Sequence, residues 1–430
     1  MAEEAKHPTE ILVDDIARFT EDIESLHTTL PMMMHVTGLL RKDADKKHLD
    51  YVSGHGKVKV KSEESTTYTL KFEDMSAVNR LKRNFENFNV ATRLIPRHFV
   101  TSLVSQYDSF LGRIIRFMFS VKPEMLNASD KSLSFVDLTR FQDIASARAF
   151  VMEKEIEAVI RKSHADQFDW LRDKLKIPFN KGLACWPDFI ELTERRNLFV
   201  HTDGKVSSQY LTVCAEHKCA TDKILRVGDQ LEVSNAYFEN SYKCIFEIGV
   251  KMAHVIWRKM CPDRIAESDS NIVDITLELI HKSEYALAIR LLDFFVQKQM
   301  KHSDDNSRRI MLINQAQAYK WNGSAERCKE VLHGEDWSAC GDKFKLGIAA
   351  LSDDYSRGYE IMRRLKHDES FHRSFYKDWP IFREFRKQDV FAEVYEECYA
   401  ERFAMEQITK SQNSVVAHVI PQLQTDDKAK

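Results

Sequence analysis

The sequence predicts a mostly α-helical protein, and three observations carry that expectation. Only 13 Gly and 9 Pro punctuate 430 residues, too few turns for a β-rich chain of this length. From residue 96 onward, apolar residues recur every three or four positions with almost no interruption. Alternating, strand-like patterning is confined to one place, KVKVKS (57–62) and TTYTLKFE (66–73), which reads as two short strands of a hairpin. The length suits two or three domains.

Residues 1–95 read as an accessory region. An amphipathic helix over 10–40 is expected to bend or break at Pro31. After the hairpin a second helix should follow Met75 and end before Pro96. The span 96–262 then reads as a bundle of five or six helices. Its first helix carries Phe99, Val100, Leu103, Tyr107, Phe110, Leu111, Ile114 and Met118 as one apolar stripe. Ser134-Phe-Val-Asp137 has the form of a capping box, and Pro187 behind Trp186 suits the first turn of another helix. That helix stops at Thr202-Asp203-Gly204, and Ser234-Asn235 opens the last long one.

CPDRIAESDSN (261–271) reads as a linker. Beyond it, pairs of short helices are expected at about 271–281 with 284–300, 306–320 with 324–333, and 340–352 with 355–366. Small or aromatic residues mark the crossings, as at Tyr285/Ala288, Ala316/Tyr319 and Ala349/Ala350. The spacing lies within a few residues of a tetratricopeptide period, so 263–407 resembles a tetratricopeptide-like helix-pair solenoid. No segment follows that consensus closely. Residues 375–399 read as its capping pair, and 408–430 as a disordered tail.

Charge gives no sign of a broad nucleic-acid-binding surface. With 63 basic against 66 acidic residues, no overall basic excess advertises nucleic-acid binding, so any such contact must be local. There is no signal-peptide-like segment and no apolar run of membrane-spanning length. The eight cysteines are scattered. A cytoplasmic protein without a membrane partner is the expectation. Cys214-x2-His217-x-Cys219 offers three ligands, but the spacing is not that of a zinc site and no fourth ligand is evident. No metal or cofactor is expected.

The informative stretch is IELTERRNLFVHTDG (190–204). An Arg followed by a His after four to six residues should occur roughly three times by chance in such a chain, so context decides. Arg41…His48 has no apolar face, Pro96 interrupts Arg93…His98, and Arg327…His333 lacks a neighbouring amide. Arg196…His201 alone combines a strong helix, an Asn directly after the Arg, and a turn that frees the histidine end. On a helical wheel Glu194, Asn197 and His201 share a polar row, while Phe189, Leu192, Phe199 and Val200 form an apolar arc. Arg196 falls inside that arc. A guanidinium there must meet a carboxylate, a phosphate or a solvent cleft. Asp108 and the Glu153/Glu155/Glu157 cluster are the carboxylates within prospect.

ERRNLFVHTDG resembles the signature of the HEPN superfamily (higher eukaryotes and prokaryotes nucleotide-binding domain), at Arg196, Asn197 and His201. The resemblance covers about 165 of the 430 residues. It implies a metal-independent endoribonuclease working as a homodimer through this bundle, with the two motifs facing one another. Many members of the family are prokaryotic toxins or antiphage-defence effectors. In that reading Arg196, Asn197 and His201 are catalytic, supported by Glu194, Arg195 and Asp108. RNA carries its own 2′-hydroxyl nucleophile, so the protein need only move protons and stabilise charge. The helix-pair region would dock a protein partner. The competing reading is a non-catalytic adaptor that binds RNA, nucleotide or protein.

Overall fold

The computed structural model describes residues 6–62, 65–128, 133–177, 183–220 and 224–403; the expected tail, 408–430, lies outside them. The chain divides into two compact units, Met1–Ile272 and Val273–Lys430. It is mostly α-helical with one two-stranded antiparallel sheet near its N-terminus.

The first unit opens with two very long helices, α1 (Pro8–His55) and α2 (Met75–Val121). The break expected at Pro31 is absent, and α2 runs on through Pro96 rather than ending before it. Each proline removes one backbone hydrogen bond, and the apolar stripes on either side hold the helix together. Leu12, Ile16, Phe19 and Ile23 of α1 are fully enclosed, as are Leu103, Tyr107, Phe110, Leu111 and Ile114 of α2. Phe19 stacks on Phe110 at 4.2 Å. The hairpin between the helices pairs β1 (Lys57–Lys61) with β2 (Thr66–Thr69), Val58 opposite Tyr68. Its lysines alternate along an exposed strand, which discourages edge pairing.

Smaller helices follow: α3 (Phe135–Leu138), α4 (Ile144–Ile160), α5 (His164–Leu175), α6 (Trp186–His201) and α7 (Ser208–Glu216). The unit's last long helix is α8 (Asn235–Met260). Ser134 Oγ accepts from Asp137 N–H at 3.1 Å, and Ser234 Oγ from Tyr237 N–H at 3.1 Å, so both expected caps are present. Helix α2 is the axis on which α1, α4, α6 and α8 pack. Gly249 of α8 is required by that packing, since a Cβ there would lie 2.2 Å from the Phe19 ring.

The expected linker at 261–271 is instead helical. A 3₁₀ turn (Pro262–Arg264) leads directly into α9 (Ile265–His281), and the division between units falls within this helix. Two of its polar residues are buried against Arg258 of α8: Arg258 and Asp269 form an enclosed ion pair, and Ser268 accepts from the Arg258 Nε at 3.1 Å.

The second unit continues with α10 (Tyr285–Phe295), α11 (Asp305–Trp321), α12 (Ala325–His333), α13 (Asp342–Leu351) and α14 (Tyr355–Leu365). They stand close to the expected pairs. The closing segment is less regular: a single turn α15 (Phe375–Asp378), two 3₁₀ turns and α16 (Asp389–Tyr399). Its aromatic residues account for this, because Tyr376, Phe382, Phe385, Phe391 and Tyr395 all bury against α14 and one another. No described helix is long and apolar enough to cross a membrane.

Candidate functional site on helix α6

Helix α6 is sealed on more sides than the wheel implied. Phe189, Ile190, Leu192 and Leu198 are buried, whereas Val200 is half exposed. The inward face is therefore rotated from the expected arc. The cause is α7: with Val206, Tyr210, Cys214 and Leu231 it forms a second small core that covers Leu198.

Arg196 turns its guanidinium towards α2. Its Nη2 donates to Asp108 Oδ2 at 2.9 Å, and both side chains are about one-fifth exposed. The other oxygen of Asp108 lies 3.0 Å from Nε2 of the buried His164, at the start of α5. One carboxylate thus joins α2, α5 and α6. Nε of Arg196 is buried without a partner among the described residues, so Asp108 engages only the tip of the fork. Asn197 Nδ2 donates to Glu194 Oε1 at 3.4 Å. Burial raises the Glu194 carboxyl above its ordinary pKa, against the opposing pull of His164, Asn197 and Arg196.

His201, the last residue of α6, faces solvent. No hydrogen bond or ion pair joins it to Arg196, Asn197 or Asp108 among the described residues. The structure therefore brings Arg196, Asp108 and His164 together, places the Asn197–Glu194 pair beside them, and leaves the imidazole of His201 at the surface.

Arg195 belongs to a different cluster. Its Nε donates to Glu191 Oε1 at 2.6 Å, and its guanidinium lies 3.8 Å from the centre of the Tyr237 ring. Glu191 is 5% exposed and also accepts from Tyr210 Oη at 2.6 Å and Tyr237 Oη at 2.8 Å. Burial first, and then the charge of Glu191, push both tyrosines well above the usual phenol range. Burial alone would lower Arg195, but Tyr237, Glu191 and Tyr210 outweigh it and hold the guanidinium charged. This is a satisfied buried network that ties α6 to α7 and α8.

A third arginine builds the turn beyond His201. Arg97 is 4% exposed and donates through Nη1 to Asp203 Oδ1 at 2.9 Å and to its carbonyl at 3.1 Å. Nη2 donates to the Leu231 carbonyl at 3.1 Å. Asp203 and Gly204 both have positive φ, 53° and 79°, and Gly204 N–H returns to the Leu198 carbonyl at 2.9 Å. A Cβ on Gly204 would meet Gln230 Nε2 at 2.9 Å and Phe199 Cδ1 at 3.0 Å. Gly204→Ala is accordingly expected to cost about 1–2 kcal/mol and to lower Tm by a few degrees. A melt unchanged within a degree would show that this turn does not need glycine.

Sequence reasoning missed Arg97, His164, Glu191, Tyr210 and Tyr237. Glu191 could have been found, since it precedes Arg195 by one helical turn. Arg97 sat behind Pro96, where the helix was expected to end. In the cysteine–histidine run, His217 Nδ1 accepts from the Trp186 indole at 3.3 Å, Cys214 is buried and Cys219 is half-buried.

The second unit has a concavity of about 490 Å³. Ile310, Ile313, Phe344, Trp379 and Phe382 line it, along with the amides of Asn314 and Gln317. The Nδ2 of Asn314 and Nε2 of Gln317 are buried with no hydrogen-bond partner among the described residues.

No protein-family model matches the chain, and no curated protein or solved structure is significantly similar to it.

Proposed function

We propose that the first unit is a metal-independent endoribonuclease of HEPN type, acting in prokaryotic toxicity or antiphage defence. The observation that supports this best is His201: an imidazole with no hydrogen-bond or ion-pair partner among the described residues, projecting from the end of a helix anchored on three sides. Acting as general acid or base beside a scissile phosphate, it would move the proton of the 2′-hydroxyl or of the leaving oxygen. Arg196 lies five residues earlier, and Asp108 holds only its Nη2, leaving Nη1 for a phosphoryl oxygen. Asn197 would orient the imidazole or the phosphate. A second copy would bring a second Arg–His pair to the same phosphate. Eight cysteines without a disulfide support a reducing, cytoplasmic setting. The concavity of the second unit, with its unpaired amides, is where a protein partner would dock.

The test is RNA cleavage in the presence of a chelator. The wild-type chain is expected to cut, and His201→Ala to lose about 10²–10⁴-fold in rate with an unchanged melting curve, since the side chain is exposed. Equal cleavage by the variant, or none by the wild type, overturns the proposal.

A second reading rests on Arg196 itself. Its bond to Asp108, which also meets His164, is the arrangement of a framework ion pair, and favours an adaptor in which α6 is purely structural.

A further inference from the structure

Helix α1 carries an apolar face that no other described residue covers. From Thr29 to Leu40 the sequence TLPMMMHVTGLL contains no Lys, Arg, Asp or Glu. Leu30, Thr37 and Ala44 mark its inner face, buried where α1 packs along α2. On the outer face, Met32 is 61% exposed, Met33 41%, Val36 53%, Leu39 54% and Leu40 46%. Single exposed apolar residues are ordinary on a protein surface, but five at helical spacing form a continuous stripe.

The stripe has internal symmetry. At 100° per residue, the five side chains fill an arc of about 120° with Val36 at its middle. Met33 and Leu39 stand three residues to either side of Val36, and Met32 and Leu40 four. Seven residues away on each side the same face turns polar, at Thr29 and Asp43, and eleven away it carries Ser25 and Lys47. Asp43 and Lys47 pair with one another at 2.8 Å, and the two ends of the stripe carry opposite charge: Glu21, Asp22 and Glu24 lie before it, and Arg41, Lys42, Lys46 and Lys47 outnumber Asp43 and Asp45 beyond it. A pattern that reads alike in both directions suits a two-fold axis perpendicular to the helix, because an isologous contact sets each residue against its mirror position.

We propose that a second copy of this chain docks here, its α1 antiparallel to the first, with the two Val36 side chains facing one another across the axis. Met32 then packs on Leu40 of the copy and Met33 on Leu39, pairs of similar volume. Thr29 meets the copy's Asp43, closing each end of the seam with a hydrogen bond. A membrane surface fits this face less well, since it calls for a basic border along the apolar stripe and the N-terminal end supplies Glu21, Asp22 and Glu24 instead, which suit the basic 41–47 end of an antiparallel copy. The seam spans roughly three helical turns from each copy, below the size of a standard stable interface. Association is therefore expected at micromolar chain concentrations. Helix α1 contributes no side chain to the α6 cluster, so this contact is separate from the pairing of two α6 motifs that the ribonuclease reading calls for, which is judged by cleavage and not by the Val36 variants.

The experiment uses the full-length chain. Sedimentation velocity across the micromolar range should show a monomer–dimer equilibrium. Val36→Lys places two like charges on the axis and should raise the dimer Kd by roughly 100-fold. Val36→Cys, treated with diamide, should form a disulfide-linked dimer, whereas Ser25→Cys and the wild-type chain should not. Because Val36 is exposed, circular dichroism of both Val36 variants should match the wild type; the cross-link reads the geometry even if Val36→Lys proves unstable. A chain that stays monomeric throughout the range overturns the proposal. So does a Val36→Lys variant that folds and dimerises like the wild type, or cross-linking at Ser25 as efficient as at Val36.

Discussion

Glu191→Ala is expected to destabilise the first unit by about 3–5 kcal/mol, the range for removing one partner of a buried ion pair. The effect is large because three groups lose their acceptor together. Arg195 Nε, Tyr210 Oη and Tyr237 Oη all donate to this carboxylate within 2.8 Å. Alanine leaves a guanidinium and two phenols without their acceptor in a largely buried space, since Glu191 is 5% exposed, Tyr210 1% and the Arg195 side chain 13%. Glu191→Gln keeps an acceptor and most of the volume but removes the charge facing Arg195, so it should fall between the wild type and alanine. Urea unfolding followed by circular dichroism, compared at constant m, measures both. A loss below about 1 kcal/mol for alanine would mean that the network is solvated in solution and does not anchor α6.

The helix pairs of the second unit were legible because each short helix ends at a small or polar turn residue and buries one narrow stripe. Gly323, with φ of +83°, sits at such a turn between α11 and α12. The long helices were legible in their stripes but not in their extent. Proline is read locally as a break, yet Pro31 and Pro96 lie inside helices of 48 and 47 residues, whose flanking apolar contacts outweigh one lost hydrogen bond. Residues 261–271 failed for a related reason. Serine, aspartate and arginine look like linker, and only tertiary contact reveals that Arg258, Ser268 and Asp269 satisfy one another in the interior.

The α6 motif was legible as a pattern, and Asp108 was within prospect as the carboxylate for Arg196 because both project from apolar faces. The neighbours that define the site were not legible. His164 arrives from α5, and Arg97 follows Pro96, where one helix was expected to give way to the next. Such groups are separated from α6 by tens of residues, and periodicity within one helix carries no information about which side chain of another will reach it.

Asp108→Ala separates the two readings of α6. The carboxylate serves Arg196 at 2.9 Å and His164 at 3.0 Å, and His164 is buried while the Arg196–Asp108 pair is about one-fifth exposed. Partial exposure screens the pair, so the expected loss is about 2–3 kcal/mol rather than the full cost of an enclosed pair. If Arg196 is held purely as framework, Arg196→Ala and Asp108→Ala should be strongly coupled. The double variant would then be little worse than either single one, with an interaction energy of about 1–2 kcal/mol in a double-mutant cycle, and neither change would touch RNA. If Arg196 serves a phosphate, the two diverge. Asp108→Ala should leave residual cleavage, because the guanidinium is still present though no longer aimed. Arg196→Ala should remove cleavage as completely as His201→Ala, at temperatures where all three variants remain folded. Arg196→Lys sharpens the distinction, since a lysine can still meet Asp108 but, as a single point of charge, lacks the planar fork whose Nη2 holds Asp108 while Nη1 reaches a phosphoryl oxygen. Retained stability with lost cleavage would place the guanidinium at the substrate, and retained cleavage would confine it to the framework.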